Sequence, residues 1–236
     1  MEVLRLSPEE WAALRLSLQV AVVATLVVLP LAIAIGYLLA RCDFIGKSAI
    51  ETLVYLPLVL PPVVTGYLLL IAFGRQGIIG RWLTEWLGIQ LVFDWKGAAL
   101  ASAVMALPLM VRTIRLAIAD VDVRFEQAAR TLGLGPLETV LRVTLPLARR
   151  GLSAGAVLGF ARSMGEFGAT IMIAGNIPGQ TQTAPLYIYS ELNAPGGFEQ
   201  GLRLVVVSVL VSAAALALSE RLERGSRPRN NLARGA

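Results

Sequence analysis

Gln127-Ala128-Ala129-Arg130-Thr131-Leu132-Gly133, followed ten residues on by Val143-Thr144-Leu145-Pro146, decides how the chain is read. It is a charged, amphipathic stretch between long apolar runs, and such a stretch cannot sit exposed in hydrocarbon. Phe125, Ala128, Ala129 and Leu132 fall at i, i+3, i+4 and i+7, which gives a short helix one apolar face, with Glu126, Gln127 and Arg130 off it. Asp120 and Asp122 stand ahead of it as caps and as negative charge at a helix N-terminus. Gly133 and Gly135 break the helix, and Pro136 is suited to open the next at its first turn. The small Ala128 and Ala129 let another surface approach closely, so the helix is expected in the groove of a partner. Taken alone, its competitor is an amphipathic helix resting on lipid.

The rest of the chain reads as membrane spans. Of 236 residues 56% are hydrophobic and 16% charged, and the mean hydropathy is +0.69. A bilayer core needs about 20 mostly apolar residues in a helix. Residues 16–40 and 52–74 supply two uncharged runs, the second bent by Pro57 and the pair Pro61-Pro62. That bend is either a harmless kink or the lining of a pathway. A third span, 97–116, continues past Arg112 and Arg115, whose heads snorkel to the interface. A fourth, 146–175, contains Arg162 and Glu166, and a fifth covers 204–220. The expected fold is therefore all-α and integral to the membrane, with about five transmembrane helices.

Lysine and arginine placement sets the orientation. The segments 41–50, 112–150 and 221–236 carry most of the positive charge, including seven arginines in 112–150 and five in the tail. With five spans these fall on one side, the cytoplasm, and the N-terminus and loops 75–96 and 176–203 face the other. The net charge of +5 is thus a topology device rather than a nucleic-acid patch. Residues 1–15 are too charged, and the run after them too long, for a cleavable signal peptide.

What is missing narrows the chemistry. With no His and a single Cys, Cys42, the chain has no imidazole catalysis, Ser-His triad or internal disulfide. No catalytic or metal-ligating set is expected. The sequence also lacks the G-x-x-x-x-G-K-[ST] loop of a nucleotide-binding subunit, so ATP chemistry must belong to another chain.

The spacing across 127–146 resembles the coupling loop of ABC importer permeases: Glu-Ala-Ala, three residues, Gly, nine residues, Ile-x-Leu-Pro. Gln127 stands in place of the Glu and Val143 in place of the Ile, while Ala128, Ala129, Gly133, Leu145 and Pro146 are in register. Residues 56–67 (Leu-Pro-Leu-Val-Leu-Pro-Pro-Val-Val-Thr-Gly-Tyr), Val121-Asp122-Val123-Arg124, 160–170 (Phe-Ala-Arg-Ser-Met-Gly-Glu-Phe-Gly-Ala-Thr) and 175–181 (Gly-Asn-Ile-Pro-Gly-Gln-Thr) look like the molybdate-importer branch. The resemblance covers about residues 10–220, leaving 221–236 as a basic cytoplasmic tail. It implies a type I permease core in the bacterial inner membrane, N-terminus periplasmic and C-terminus cytoplasmic. It further implies a homodimer, two cytoplasmic ABC ATPase subunits holding ATP-Mg, and a periplasmic molybdate-binding protein. The chain itself would bind no cofactor and be no enzyme. The loop 120–146 would couple it to the ATPase through Glu126, Gln127, Ala128, Ala129, Gly133, Leu145 and Pro146. Because Gln127 loses a salt bridge, Glu126 is expected to supply that charge. Tungstate or sulfate permeases share this layout and remain alternatives. An ion-coupled secondary transporter is the rival from another class, though no inverted repeat is evident.

A second cluster lies in the fourth span. Arg162 and Glu166 are four residues apart, on one helical face. Arg162 sits about 24 Å along the helix from Pro146, near the outer interface. The two are either a structural pair or part of a gate. Ser163 and Thr170 are expected to face the path, where hydroxyls can hydrogen-bond an oxyanion. Residues 176–203 are expected as an outer loop, with a re-entrant segment as the competing reading.

Overall fold

The computed structural model describes residues 6–196 and 198–224. The tail expected at 221–236 lies outside the described residues from 225 onward. The helices are α1 (Pro8–Arg41), α2 (Lys47–Val59), α3 (Pro62–Phe73), α4 (Ile78–Leu87), α5 (Trp95–Ala119), α6 (Val123–Thr131), α7 (Pro136–Thr139), α8 (Leu145–Met164), α9 (Gly168–Ala174), α10 (Ala184–Leu192) and α11 (Phe198–Arg224), with a π-helical turn at Val140–Thr144.

α1 begins well before its apolar run because a capping box starts it. Ser7 Oγ accepts from Glu10 N at 3.2 Å, and Ser7 N donates to Glu10 Oε2 at 2.6 Å. Pro8, in the first turn, has no N–H to waste there. α5 is the centre of the bundle. In its most apolar stretch 67% of residues are buried, against 11% in α11, whose outer face (Val209, Leu210, Leu216, Leu218) is exposed. Ala98, Ala101, Ala106, Met110, Val111, Ile114 and Ile118 of α5 are fully enclosed, packed mainly by α1 and α8.

Small residues make that packing possible. Gly36 of α1 lies where a Cβ would come within 3.0 Å of Ile114 Cγ2 and 3.2 Å of Arg115 N. Gly151, Gly155 and Gly159 of α8 recur every four residues, and a Cβ on them would meet Ala117, Ile114 and Met110 respectively. In a bilayer, where solvent does not drive helices together, such close approach carries association through dispersion contacts.

Among the described residues, α1, α5 and Gly201–Arg221 of α11 are each long and apolar enough to cross a membrane alone. Two of the expected spans are broken, the second where the prolines predict a bend. The second splits at Leu60-Pro61 into α2 and α3, bent by 114°. Proline at 61 and 62 removes two consecutive N–H donors, and a residue before proline is pushed out of helical geometry; Leu60 is extended (φ −69°, ψ 142°). The fourth splits into α8 and α9 at Gly165–Phe167. The expected outer loop 176–203 holds helix α10, docked on α1 and α11 and fastened where Ala184 N donates to Ser17 Oγ at 2.7 Å.

The α5–α8 contact gives a direct test. Ala117 has no rotamer through which its methyl can escape a side chain at Gly151, whereas nothing lies within 4 Å of a Cβ at Gly165. Gly151→Leu should therefore lower stability by about 1–3 kcal/mol, and Gly165→Ala should cost under about 1 kcal/mol. Thermal unfolding of the detergent-solubilised protein measures both; equal, small effects would contradict the packing.

Candidate functional site

The expected loop forms at 120–146. Asp122 caps α6, its Oδ1 accepting from Arg124 N at 2.9 Å, while Asp120 closes α5. α6 ends at Gly133, whose φ of +91° is the left-handed conformation that glycine adopts without strain. Leu134 N donates back to Ala129 O at 3.1 Å, closing the turn. Pro136 then opens α7, as its fixed φ favours.

The structure corrects the faces of this helix. Phe125, Ala128 and Leu132 point outward with Gln127 and Arg130, but Ala129 is buried. Glu126, expected at the partner surface, is 5% exposed and turned inward. Its Oε1 accepts from Arg41 Nε at 3.0 Å and from Thr144 Oγ1 at 3.0 Å. Arg41 also donates through Nη2 to Val121 O at 2.6 Å. A carboxylate this buried needs such partners, so Glu126 cannot offer its charge to another chain. The physical reason is one of phase: helical periodicity sorts residues by face but does not say which face meets the protein.

Leu145 and Pro146 shape the loop from inside. Pro146 has no N–H, and its ring collides with the carbonyl four residues back. The helix widens ahead of it, so that Leu145 N bonds Val140 O, five residues back. That π-turn carries Thr144, fully buried, onto Glu126. Leu145 is half-buried and Pro146 exposed. Beyond them the outward surface continues through Leu137 and Leu141.

At the α8–α9 break Arg162 and Glu166 do pair, Nη1 to Oε2 at 2.7 Å. Glu166 is 3% exposed. Its other oxygen accepts from Ala169 N at 2.8 Å, capping α9. α9 then lies against α3: a Cβ at Gly66 would fall 2.6 Å from Ala169 O, and one at Gly168 would fall 2.8 Å from Pro62 Cβ. Two broken spans thus meet where each begins again. Ser163 and Thr170 are both buried here, and their hydroxyls find no hydrogen-bond partner; the same holds for Thr65 of α3. A buried unpaired hydroxyl costs about 1–3 kcal/mol. Thr65 was not singled out from sequence, although Thr65-Gly66 follows the double proline. Arg41 and Thr144 were likewise missed; the signal for Arg41 was a lone cation closing the first apolar run.

Residues 14–228 match the family described as binding-protein-dependent transport system inner membrane component. The molybdenum transport system permease protein ModB of Escherichia coli K12 is 51% identical over 224 residues, 95% of this chain and 98% of that protein. Its counterpart in Haemophilus influenzae is 53% identical over 215 residues, 91% of this chain and 94% of that one. Among solved structures, a bacterial alginate ABC transporter in complex with an alginate-pentasaccharide-bound periplasmic protein superposes with a TM-score of 0.71 at 16% identity. That match covers 94% of this chain and 81% of that one.

Removing the cap tests the geometry of the break. Glu166→Ala should destabilise the solubilised protein by about 2–4 kcal/mol by orphaning Arg162 and Ala169 N. Glu166→Gln, which can still accept from Ala169 N, should recover part of that loss. Thermal unfolding resolves the two; a Gln variant as unstable as the Ala variant would contradict the capping role.

Proposed function

The chain belongs to the family of binding-protein-dependent transport system inner membrane components, and from that premise we propose that it is the permease subunit of an ATP-driven molybdate importer. The observation that carries this reading is 51–53% identity, over nearly the full chain, to molybdenum transport permeases. The all-helical fold and its likeness to an ABC importer agree with it. The chain forms the path and leaves ATP hydrolysis to a partner.

In this reading two copies assemble in the inner membrane, the N-terminus periplasmic and the C-terminus cytoplasmic. Two cytoplasmic ATPase subunits, holding ATP-Mg, dock on the 120–146 loops. A periplasmic binding protein delivers the oxyanion to the opposite face. The exposed Phe125, Ala128 and Leu132, with Gln127 beside them, suit the docking role: an apolar anchor row in water rimmed by polar groups. Gly133 sets the turn that presents the row.

The path is proposed to run past the α3–α9 contact. There Arg162 and Glu166 hold the outer part of the path in register, and Ser163 and Thr170, with Thr65, supply hydroxyls. In the packed state these hydroxyls lack partners. Parting of α3 from α9 would give them water or the oxygens of a tetrahedral oxyanion to bond, offsetting a cost that the closed packing bears. Alternating access is then a shift between two packings, biased by nucleotide at one end and binding protein at the other.

Uptake of radiolabelled molybdate in a strain deleted for the gene, with and without the chain restored, tests the assignment. Uptake should return with the chain and be competed by excess tungstate, which matches molybdate in charge and nearly in size, but little by sulfate. Efficient sulfate competition would overturn the molybdate assignment in favour of a sulfate permease.

A further inference from the structure

Glu126 sits at a junction of three elements far apart in sequence. α6 is covalently joined to the bundle only by short turns, Asp120–Asp122 before it and Leu132–Gly135 after it. Both are bends of non-helical backbone, and a helix hung on two such hinges could swing without moving the spans. Glu126 removes that freedom. Its carboxylate is held by Arg41, the last residue of α1, and by Thr144 of the π-turn that opens α8. Arg41 simultaneously takes Val121 O at the start of the loop. The side chains of Arg41 and Glu126 are 12% and 6% exposed, so water screens the pair little.

The far end of α1 is fastened in the same way. Glu10, completely buried, meets Arg203 of α11 at 3.1 Å. α1 is a continuous helix of 34 residues, about 50 Å at the helical rise. It is thus a strut with an ion pair on a buried glutamate at each end, joining α6 at one end to α11 at the other.

We propose that Glu126 is the positioning residue through which movement of the coupling helix reaches the spans, by its grip on Arg41 of α1 and Thr144 of the π-turn. It acts through these two residues and touches no partner. Displacing α6 therefore drags α1 and the head of α8 with it, where hinged turns alone would absorb the displacement. The proposal rests on the ATP-driven reading above.

The test uses the chain co-expressed with its ATPase, purified as a complex and reconstituted into proteoliposomes with the binding protein. ATP hydrolysis and radiolabelled molybdate uptake are measured in the same vesicles. Wild type that fails to couple the two would contradict the transport reading itself. With wild type coupled, Glu126→Ala and Arg41→Ala should each keep the ATPase bound and hydrolysing while uptake per ATP falls about tenfold, within the span of ordinary coupling energies. The double variant should fall no further than Glu126→Ala alone, because Arg41 acts through Glu126. Thr144→Val, a change too small to endanger folding, should lower uptake per ATP in the same direction, and Thr144→Ser should restore most of it. Unchanged uptake per ATP, additive losses in the double variant, or release of the ATPase by Glu126→Ala would each overturn the proposal. The last would place Glu126 at the docking surface.

Discussion

A carboxylate withdrawn from water must be neutralised or paired, and among the described residues Glu10, Glu126 and Glu166 are withdrawn almost completely. Glu10, Glu126 and Glu166 each meet an arginine, at 3.1, 3.0 and 2.7 Å. None of the pairs lies in the middle of a long helix. Glu10 binds α1 to α11 at one end of the bundle, and Glu126 binds the loop helix to α1 at the other. Glu166 bridges the break between α8 and α9. Removing one partner of such a pair costs about 2–4 kcal/mol, so each fixes the relative position of the elements it joins. The apolar packing of α5 against α1 and α8 holds the bundle together. The ion pairs determine which ends move as one.

This division suits a protein proposed to transmit movement rather than perform chemistry. Glycines and alanines along α5, α1 and α8 allow backbones to lie close over long faces. Where α3 and α9 meet, the spans are broken, the hydroxyls of Thr65, Ser163 and Thr170 are unpaired, and Glu166 caps the restarted helix. Broken helices at membrane depth are tolerated where surrounding protein satisfies the freed backbone; here Glu166 does so for Ala169 N. Stiffness sits at the loop and along α1, and the poorly satisfied region sits at the α3–α9 contact.

Much of this was legible in the sequence, for identifiable reasons. A long uncharged run announces α1, and a shorter one ending at Arg112 announces α5, because hydrocarbon admits little else. Gly133 and Pro136 mark the turns after α6 because each has a narrow conformational preference. The Arg162–Glu166 pair is legible from its spacing of four, although α8 ends at Met164 and Glu166 lies in the break beyond it. The inward turn of Glu126 was not legible, since its partners Arg41 and Thr144 are 85 and 18 residues away and only the tertiary fold brings them together. The 114° break between α2 and α3 was legible as a bend at Pro61-Pro62 but not as an angle, which neighbouring helices set. The spacing of Gly151, Gly155 and Gly159 is a close-packing signal the sequence reading passed over, and the helix they approach appears only in the structure.

In the proposed coupling α6 has two faces: an outward one that grips another chain and an inward one clamped to the spans through Glu126. Single cysteines at Ala128 and Ala129, in a background where Cys42 is changed to serine, probe both faces with a membrane-impermeant maleimide in inside-out vesicles. Ala128→Cys should react readily without the ATPase and be shielded when the ATPase is bound; Ala129→Cys should stay unreactive in both conditions. Equal labelling of Ala128→Cys with and without the ATPase, or labelling of Ala129→Cys as fast as its neighbour, would contradict the account.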